Sequence, residues 1–309
     1  MIEAIGTILF FIAFKMEGRE SLEALWLSVF HSVSAFCTAG FSLFNSSFAD
    51  YSANGFINFI ISFLAIAGSL GFIVVTDFVM RIKDKSHKLS FTTKIILVGF
   101  LILLSFGFSF FYFFEPSIAA LEGTERGLAA FFQAMTAMTT VGFNTVDFGV
   151  FGLPMLVITV FLMYIGASHS GMAGGMKITT LTAVLSIMKS RLRGNKEITF
   201  FGRRIPFERL YIATSSFIFY TSIIFLGVFL LTFFEDADLE QIIFEVASAL
   251  GTVGLSMGIT GSLTVYGKIV IILLMFIGRL GVLTFGLAIW SKTVSNNEDI
   301  KMVDDDIAV

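Results

Sequence analysis

One thirteen-residue pattern recurs three times in this chain, and it constrains the fold more than any other feature. The segments "FHSVSAFCTAGFS" (30–42), "FQAMTAMTTVGFN" (132–144) and "FEVASALGTVGLS" (244–256) all obey F-x-x-x-[ST]-A-x-x-T-x-G-[FL]-[SN] without a gap. Their glycines, Gly40, Gly142 and Gly254, lie 102 and 112 residues apart. Self-similarity of this kind signals one structural unit used repeatedly. The flanks repeat as well. Downstream, an apolar stretch ends "FLAIAG" at Gly68, "FLMYIG" at Gly166 and "LLMFIG" at Gly278, which are offsets of 28, 24 and 24 residues. Upstream, another apolar stretch ends "FFE" at Glu115 in the second unit and at Glu235 in the third. Each unit reads as membrane helix, short helix, T-x-G loop, membrane helix.

Composition says what these units sit in. Of the 309 residues, 56% are hydrophobic and 14% charged, whereas an ordinary soluble domain is about 25% charged. That argues against a soluble enzyme. Apolar runs at about 56–76, 95–114, 150–167, 210–234 and 268–290 have roughly the 20 residues a crossing needs. The expectation is an all-α, multi-pass protein of the cell membrane. Charge orients it. Arg81, Lys83, Lys85, Lys88 and Lys94 crowd one loop, and Lys189, Arg191, Arg193, Lys196, Arg203, Arg204 and Arg209 another, with Lys292 and Lys301 after the last run. The alternate loops hold only Lys15, Arg19, Arg126 and Lys268 and carry the acidic clusters "EPSIAALEGTE" and "EDADLE". Basic loops are therefore cytoplasmic, and because they flank membrane segments they do not point to nucleic acid. Cys37 is the one cysteine, so no intrachain disulfide forms.

The short helices set the chemistry. Segments such as Leu128–Met138 and Leu239–Leu250 are too short to cross and have the length of re-entrant pieces. Non-helical backbone at membrane depth survives only where protein or a watery cavity satisfies it. Three such loops present backbone carbonyls suited to a dehydrated cation: Thr38, Ala39 and Gly40; Thr140, Val141 and Gly142; Thr252, Val253 and Gly254. Glycine admits the backbone angles this needs, and each short helix aims the negative end of its dipole inward. No acidic residue lies within T-x-G, so selection rests on neutral carbonyls and favours alkali cations. Tight turns between packed helices are the plainer alternative.

"FHSVSAFCTAGFSLF", "TTVGFNTVDFG", "GTVGLSMGIT" and "MFIGRLGVLTF" resemble the membrane subunit of Trk/Ktr-type potassium-uptake systems, in particular the Ktr branch, over essentially the whole chain. The resemblance implies four helix–pore-loop–helix repeats around a pseudo-fourfold pore for K⁺, often with Na⁺ dependence and without a covalent cofactor. It also implies a homodimer docked on a cytoplasmic ring of nucleotide-binding regulatory subunits. Three of the four repeats are present: 1–82, 91–193 and 205–292 correspond to the family's second, third and fourth. The first apolar helix, from Ile2 to about Phe14, is short, and the expectation is that the chain begins inside a larger product. The alternative reading of a chain with three repeats is a non-conducting remnant. A secondary cation transporter is a further rival, although such proteins usually show inverted repeats. The acidic tail 293–309 reads as disordered or as a contact for a cytoplasmic partner.

The stretch "GASHSGMAGGMK" (166–177) crowds Gly166, Gly171, Gly174 and Gly175 together. Each glycine costs a helix about 1 kcal/mol against alanine, so the outgoing helix breaks here; small-residue packing is the alternative. By resemblance this is a flexible gate loop, with His169 and Met172 where the family usually has proline and threonine. Ser168, His169 and Ser170 lack a third orienting group, which leaves an intramembrane enzyme a distant reading. Arg279 either lines the ion path as part of the gate or snorkels to the cytoplasm. Lys177 either contacts the glycine loop or faces the cytoplasm. Asp147 and Glu245 lie near loop mouths, as cation concentrators or as solvated loop residues. Asp77 falls at a cytoplasmic helix end, His31 reads as a packing or hydrogen-bonding residue, and His87 lies in a basic loop.

Overall fold

The structure, a computed structural model, describes residues 1–195 and 197–290; the acidic tail 293–309, with Lys196, Lys292 and Lys301, lies outside them. Unit A comprises α1 (Ile2–Met16), α2 (Ser21–Phe36) and α3 (Gly55–Lys83). Unit B comprises α4 (Phe91–Phe114), a short turn α5 (Pro116–Ala119), α6 (Gly123–Thr139), α7 (Leu153–Tyr164) and α8 (Ile178–Leu192), with strands β1 (Ile165–Gly166) and β2 (Met176–Lys177) between the last two. A hairpin of β3 (Thr199–Phe200) and β4 (Arg203–Arg204) leads into unit C: α9 (Phe207–Phe234), α10 (Leu239–Leu250), α11 (Val265–Leu280) and α12 (Val282–Trp290).

The spans form because their apolar runs are long, and the starts of α3 and α4 are also capped by side chains. α3, α4 and α9 have 29, 24 and 28 residues, beyond the roughly 20 that a bilayer requires. The side chain of Asn54 accepts from the N–H groups of Phe56 and Ile57 at the start of α3, and Ser90 accepts from Thr93 N–H at the start of α4. The short helices end where the next threonine turns left-handed. α10 matches its expected bounds. α6 has 17 residues, longer than expected, because its first turn extends toward the external loop and is only half-buried.

Two expected crossings need correction. The run 150–167 is not one span: α7 stops after 12 residues, and 165–177 leaves the helix. β2 pairs parallel with β1, Ile165 with Met176 and Gly166 with Lys177, so α8 resumes in the direction α7 was taking. The run 268–290 is bent by 99° between α11 and α12. α3 is kinked too, at Gly71 (φ 74°, ψ 179°). The cause is packing. A Cβ on Gly68 would lie 1.9 Å from the Phe36 carbonyl oxygen, and one on Gly278 would lie 2.1 Å from that of Leu250. The outgoing helix thus presses on the carbonyl end of its own short helix and breaks just beyond.

Successive units are placed by the same contact. α3 packs on α6, and α7 packs on α10: the outgoing helix of each unit lies against the short helix of the next. The core follows this middle layer, with Phe132 to Thr139 of α6 and Phe244 to Leu250 of α10 buried. α2 has a different outer face, where Leu22, Leu25, Trp26, Val29 and Val33 are exposed.

Candidate functional site

The three T-x-G loops share one backbone. Thr38, Thr140 and Thr252 have φ of 48°, 56° and 51°, and Gly40, Gly142 and Gly254 have 69°, 83° and 89°. The residue between is not left-handed in any of them. A β-branched residue at positive φ is a steric outlier, costing on the order of 1–3 kcal/mol unless its surroundings enforce it. Three of the five left-handed residues other than glycine among those described are these threonines. The loops also abut in chain order. A Cβ on Gly40 would sit 2.3 Å from the Val141 carbonyl oxygen, and one on Gly142 would sit 1.9 Å from that of Val253. A Cβ on Gly254 meets nothing within 4 Å.

The consensus positions hold this strained backbone. The carbonyls of Ser34, Thr136 and Ser248 accept from the N–H groups of Ala39, Val141 and Val253 at 2.9, 3.3 and 2.8 Å. Their hydroxyls act on the same loops: Ser34 donates to Phe41 O at 2.8 Å, Thr136 to Phe143 O at 2.6 Å, and Ser248 accepts from Gly254 N–H at 3.1 Å. One residue after the consensus phenylalanine, three different side chains brace the ascending strand. His31 Nε2 accepts from Leu43 N–H at 3.2 Å, so its Nδ1 carries the proton and donates to Leu27 O at 2.8 Å. Gln133 donates to Val146 O at 2.7 Å and accepts from Thr145 N–H at 3.3 Å. Glu245 accepts from the Ser256 hydroxyl at 2.9 Å and from that of Thr260.

Below the loops lies the glycine-rich segment. Gly174 N–H donates to Thr140 Oγ1 at 2.9 Å, and a Cβ on Gly174 would lie 2.0 Å from Gly251 O and 2.3 Å from Thr252 Oγ1. The segment touches two T-x-G loops directly. Its other edge rests on the kink of α3: Ser168 N–H donates to Ser69 O at 3.2 Å and Met172 N–H to Gly68 O at 2.9 Å. Two cations hold its carbonyls. Lys177 Nζ donates to Ala173 O and, at 3.1 Å, to Gly174 O; Arg279 donates to Met172 O at 3.3 Å.

The family follows from comparison with known proteins. A profile described as TrkH, a cation transport protein, matches residues 1–297. The chain belongs to this family. It is 39% identical over 277 residues to the Ktr system potassium uptake protein B of Bacillus subtilis (strain 168), covering 88% of this chain and 61% of that protein. It is 36% identical over 291 residues to the potassium/sodium uptake protein NtpJ of Enterococcus hirae, covering 92% of this chain and 64% of that one. The crystal structure of the potassium transporter TrkH from Vibrio parahaemolyticus superposes with a TM-score of 0.76 at 22% identity, over 93% of this chain and 62% of that one. That likeness is one of fold, an all-helical membrane architecture. The chain spans between 61% and 64% of the length of these three proteins.

Within this TrkH-family fold several residues lie where sequence left alternatives open. Lys177 and Arg279 both bond the glycine-rich segment. Glu245 is not a solvated loop residue: it is 5% exposed in α10, because the Ser256 and Thr260 segment covers its carboxylate. Asp147 caps a short turn, accepting from Gly149 N–H at 2.9 Å. Ser168 and Ser170 hydroxyls lie 3.3 Å apart, while His169 and Met172 point outward, exposed. Asp77 accepts from Ser90 N–H at 3.0 Å and from the Thr93 hydroxyl, tying α3 to α4.

Three features escaped sequence reading. The outgoing helices of units A and C break at Gly71 and Gly281, and the signal was present as G-S-L-G at 68–71 and G-R-L-G at 278–281. The braces His31, Gln133 and Glu245 share a position but not a residue type, so no consensus marks them. The third feature is an outer clamp common to all units. Glu115 accepts from Gly152 N–H at 3.2 Å, and Glu235 from Thr264 N–H at 3.0 Å. In unit A the corresponding residue is Glu17, which accepts from Tyr51 at 3.0 Å and Asn54 at 3.5 Å. Each glutamate ends an incoming helix and holds residues at or beside the start of the outgoing one.

Proposed function

We propose that this chain forms three of the four sectors of a potassium-selective pore, with Thr38 to Gly40, Thr140 to Gly142 and Thr252 to Gly254 supplying filter carbonyls. The observation that carries the reading is the shared left-handed, ordinary, left-handed backbone of three adjoining loops. An alternation of hand turns successive peptide units the same way, so their carbonyls face one side, as a carbonyl-lined filter requires. The names of the relatives, a potassium uptake protein and a potassium/sodium uptake protein, support K⁺ as the ion and make Na⁺ its natural competitor. The unoccupied flank of Gly254 and the exposed face of α2 fit a fourth segment of the same design completing a pseudo-fourfold ring. Residues 166–177 serve as the gate beneath the filter, through Gly171, Gly174 and Gly175, with Lys177 and Arg279 holding it closed. Assembly as a homodimer on a cytoplasmic ring of nucleotide-binding subunits belongs to the same proposal, since a multi-component system is implied by the name of the Ktr relative.

Gly142→Ser is the direct test. A side chain there meets the Val253 carbonyl oxygen, so the two filter segments must part. In liposomes holding the full protein, K⁺ and Na⁺ fluxes measured side by side should lose most of their difference. Unchanged discrimination in the variant would remove the loops from ion selection.

A further inference from the structure

The loop between units B and C folds into a hairpin outside the machinery described above. β3 and β4 pair Thr199 with Arg204 and Phe200 with Arg203, leaving Phe201 and Gly202 as a two-residue turn. Both have positive φ, 44° and 71°, the arrangement of a type I′ turn. That turn ordinarily takes Asn, Asp or Gly, and a bulky residue in it is a steric outlier. Here an aromatic ring occupies the position and is 59% exposed. The base is firmly seated: Ile198 and Ile205 pack with Ala183 of α8 and with Leu210 and Ala213 of α9. A strained residue presented from a fixed base invites a functional reading.

The two arginines fix the depth of the hairpin. The Arg203 guanidinium lies 5.3 Å from the ring centroid of Phe91, the first residue of α4. That of Arg204 lies 5.7 Å from the ring of Phe207, the first residue of α9. Both helices are longer, at 24 and 28 residues, than the roughly 20 that hydrocarbon requires, so their first residues reach to headgroup level. Phe200 and Arg203, directly paired, share one face of the hairpin, and the Phe200 ring lies 4.4 Å from that of Phe201. Arg204 has a carboxylate partner in Glu197 at 3.1 Å; Arg203 has none among the described residues. An exposed Phe suits burial at the headgroup–acyl boundary, and a guanidinium fork suits a phosphate.

We propose that hairpin 198–205 binds an anionic phospholipid of the cytoplasmic leaflet, Arg203 holding its phosphate and Phe201 meeting its chains. The test places a fluorophore at the apex. Phe201→Trp, in a background of Trp26→Phe and Trp290→Phe, is reconstituted into bilayers containing chain-brominated lipids, which quench indole on contact. Half-maximal quenching is expected at about a fivefold lower mole fraction of brominated phosphatidylglycerol than of brominated phosphatidylcholine, given the attraction of one unpaired cation to an anionic surface. Adding Arg203→Gln should abolish that difference while circular dichroism stays unchanged. No quenching by either lipid would put the apex in water, with a cytoplasmic protein as its occupant. Equal quenching by both would leave an anchor without headgroup recognition. Either result overturns the proposal.

Discussion

The outgoing segment of unit B and those of units A and C meet the same obstacle in different ways. Each must pass the layer of short helices and T-x-G loops, and each departs from regular helix at the same level. In units A and C one left-handed glycine, Gly71 or Gly281, redirects the chain and helix resumes at once. In unit B the helix gives way to 165–177, closed by a two-residue parallel pair and by bonds from Lys177 and Arg279. A break is common to the repeat; a segment held by a few separable bonds is particular to unit B. The two kinks differ as well. That of unit A is filled by the loop of unit B, whereas the nearest atom to a Cβ on Gly281 is Thr284 Oγ1 at 3.7 Å.

Alanine at the two kinks gives the sharpest test of this contrast. A Cβ on Gly71 would lie 2.2 Å from the Ser170 carbonyl carbon, so Gly71→Ala must displace the loop in addition to bearing the backbone penalty. Gly281→Ala should cost only that penalty, on the order of 1–3 kcal/mol. Thermal unfolding in detergent should therefore show a much larger loss for Gly71→Ala. Equal losses would mean that the loop is not seated in the kink.

The cations come next. Lys177→Met leaves the Ala173 and Gly174 carbonyls without their ammonium donor, at about 1.5–3 kcal/mol for charge-assisted bonds. Arg279→Gln removes one longer bond and should cost less. If these bonds hold a gate, both variants should raise K⁺ flux into liposomes, Lys177→Met by more. A fall in flux from either would make that cation part of the conduction path rather than a latch.

The smallest effect is expected at a brace, where the units are most alike in role. Glu245→Gln gives unit C the residue that unit B has at Gln133; it keeps an acceptor oxygen for one of the Ser256 and Thr260 hydroxyls and offers an N–H to the other, which can rotate to accept it. Stability should change by less than about 1 kcal/mol, and ion discrimination should hold. Glu245→Ala, which leaves two hydroxyls without their acceptor, should cost about 1–3 kcal/mol. A large effect of the glutamine would show that the carboxylate charge, rather than its hydrogen bonds, serves unit C.

Much of the architecture was legible because it repeats. The [ST], T and G positions recur because the [ST] carbonyl accepts the same backbone bond in every loop and its hydroxyl stays within reach of the segment that follows, while T and G carry the same positive φ in all three. The braces were hidden for the opposite reason: an imidazole, an amide and a carboxylate can each hold an ascending strand, so selection at that position acts on reach and polarity rather than identity. Glu17 was obscured by its setting, since "KME" lacks the aromatic pair that precedes Glu115 and Glu235. The broken spans were missed because hydropathy averages over residues and does not register one left-handed glycine.

Sequence by itself determined the membrane class, the threefold repeat and the loops where backbone must leave the helix. These depend on local composition and on residues a few positions apart. Tertiary structure alone decided that each loop glycine faces the carbonyl of the next loop, that the glycine-rich segment of unit B rests on the kink of unit A, and that Lys177 and Arg279 converge on it. Those contacts join residues some 100 positions apart, such as Arg279 and Met172 at a separation of 107. Only the packing of one unit against the next brings such residues within bonding distance.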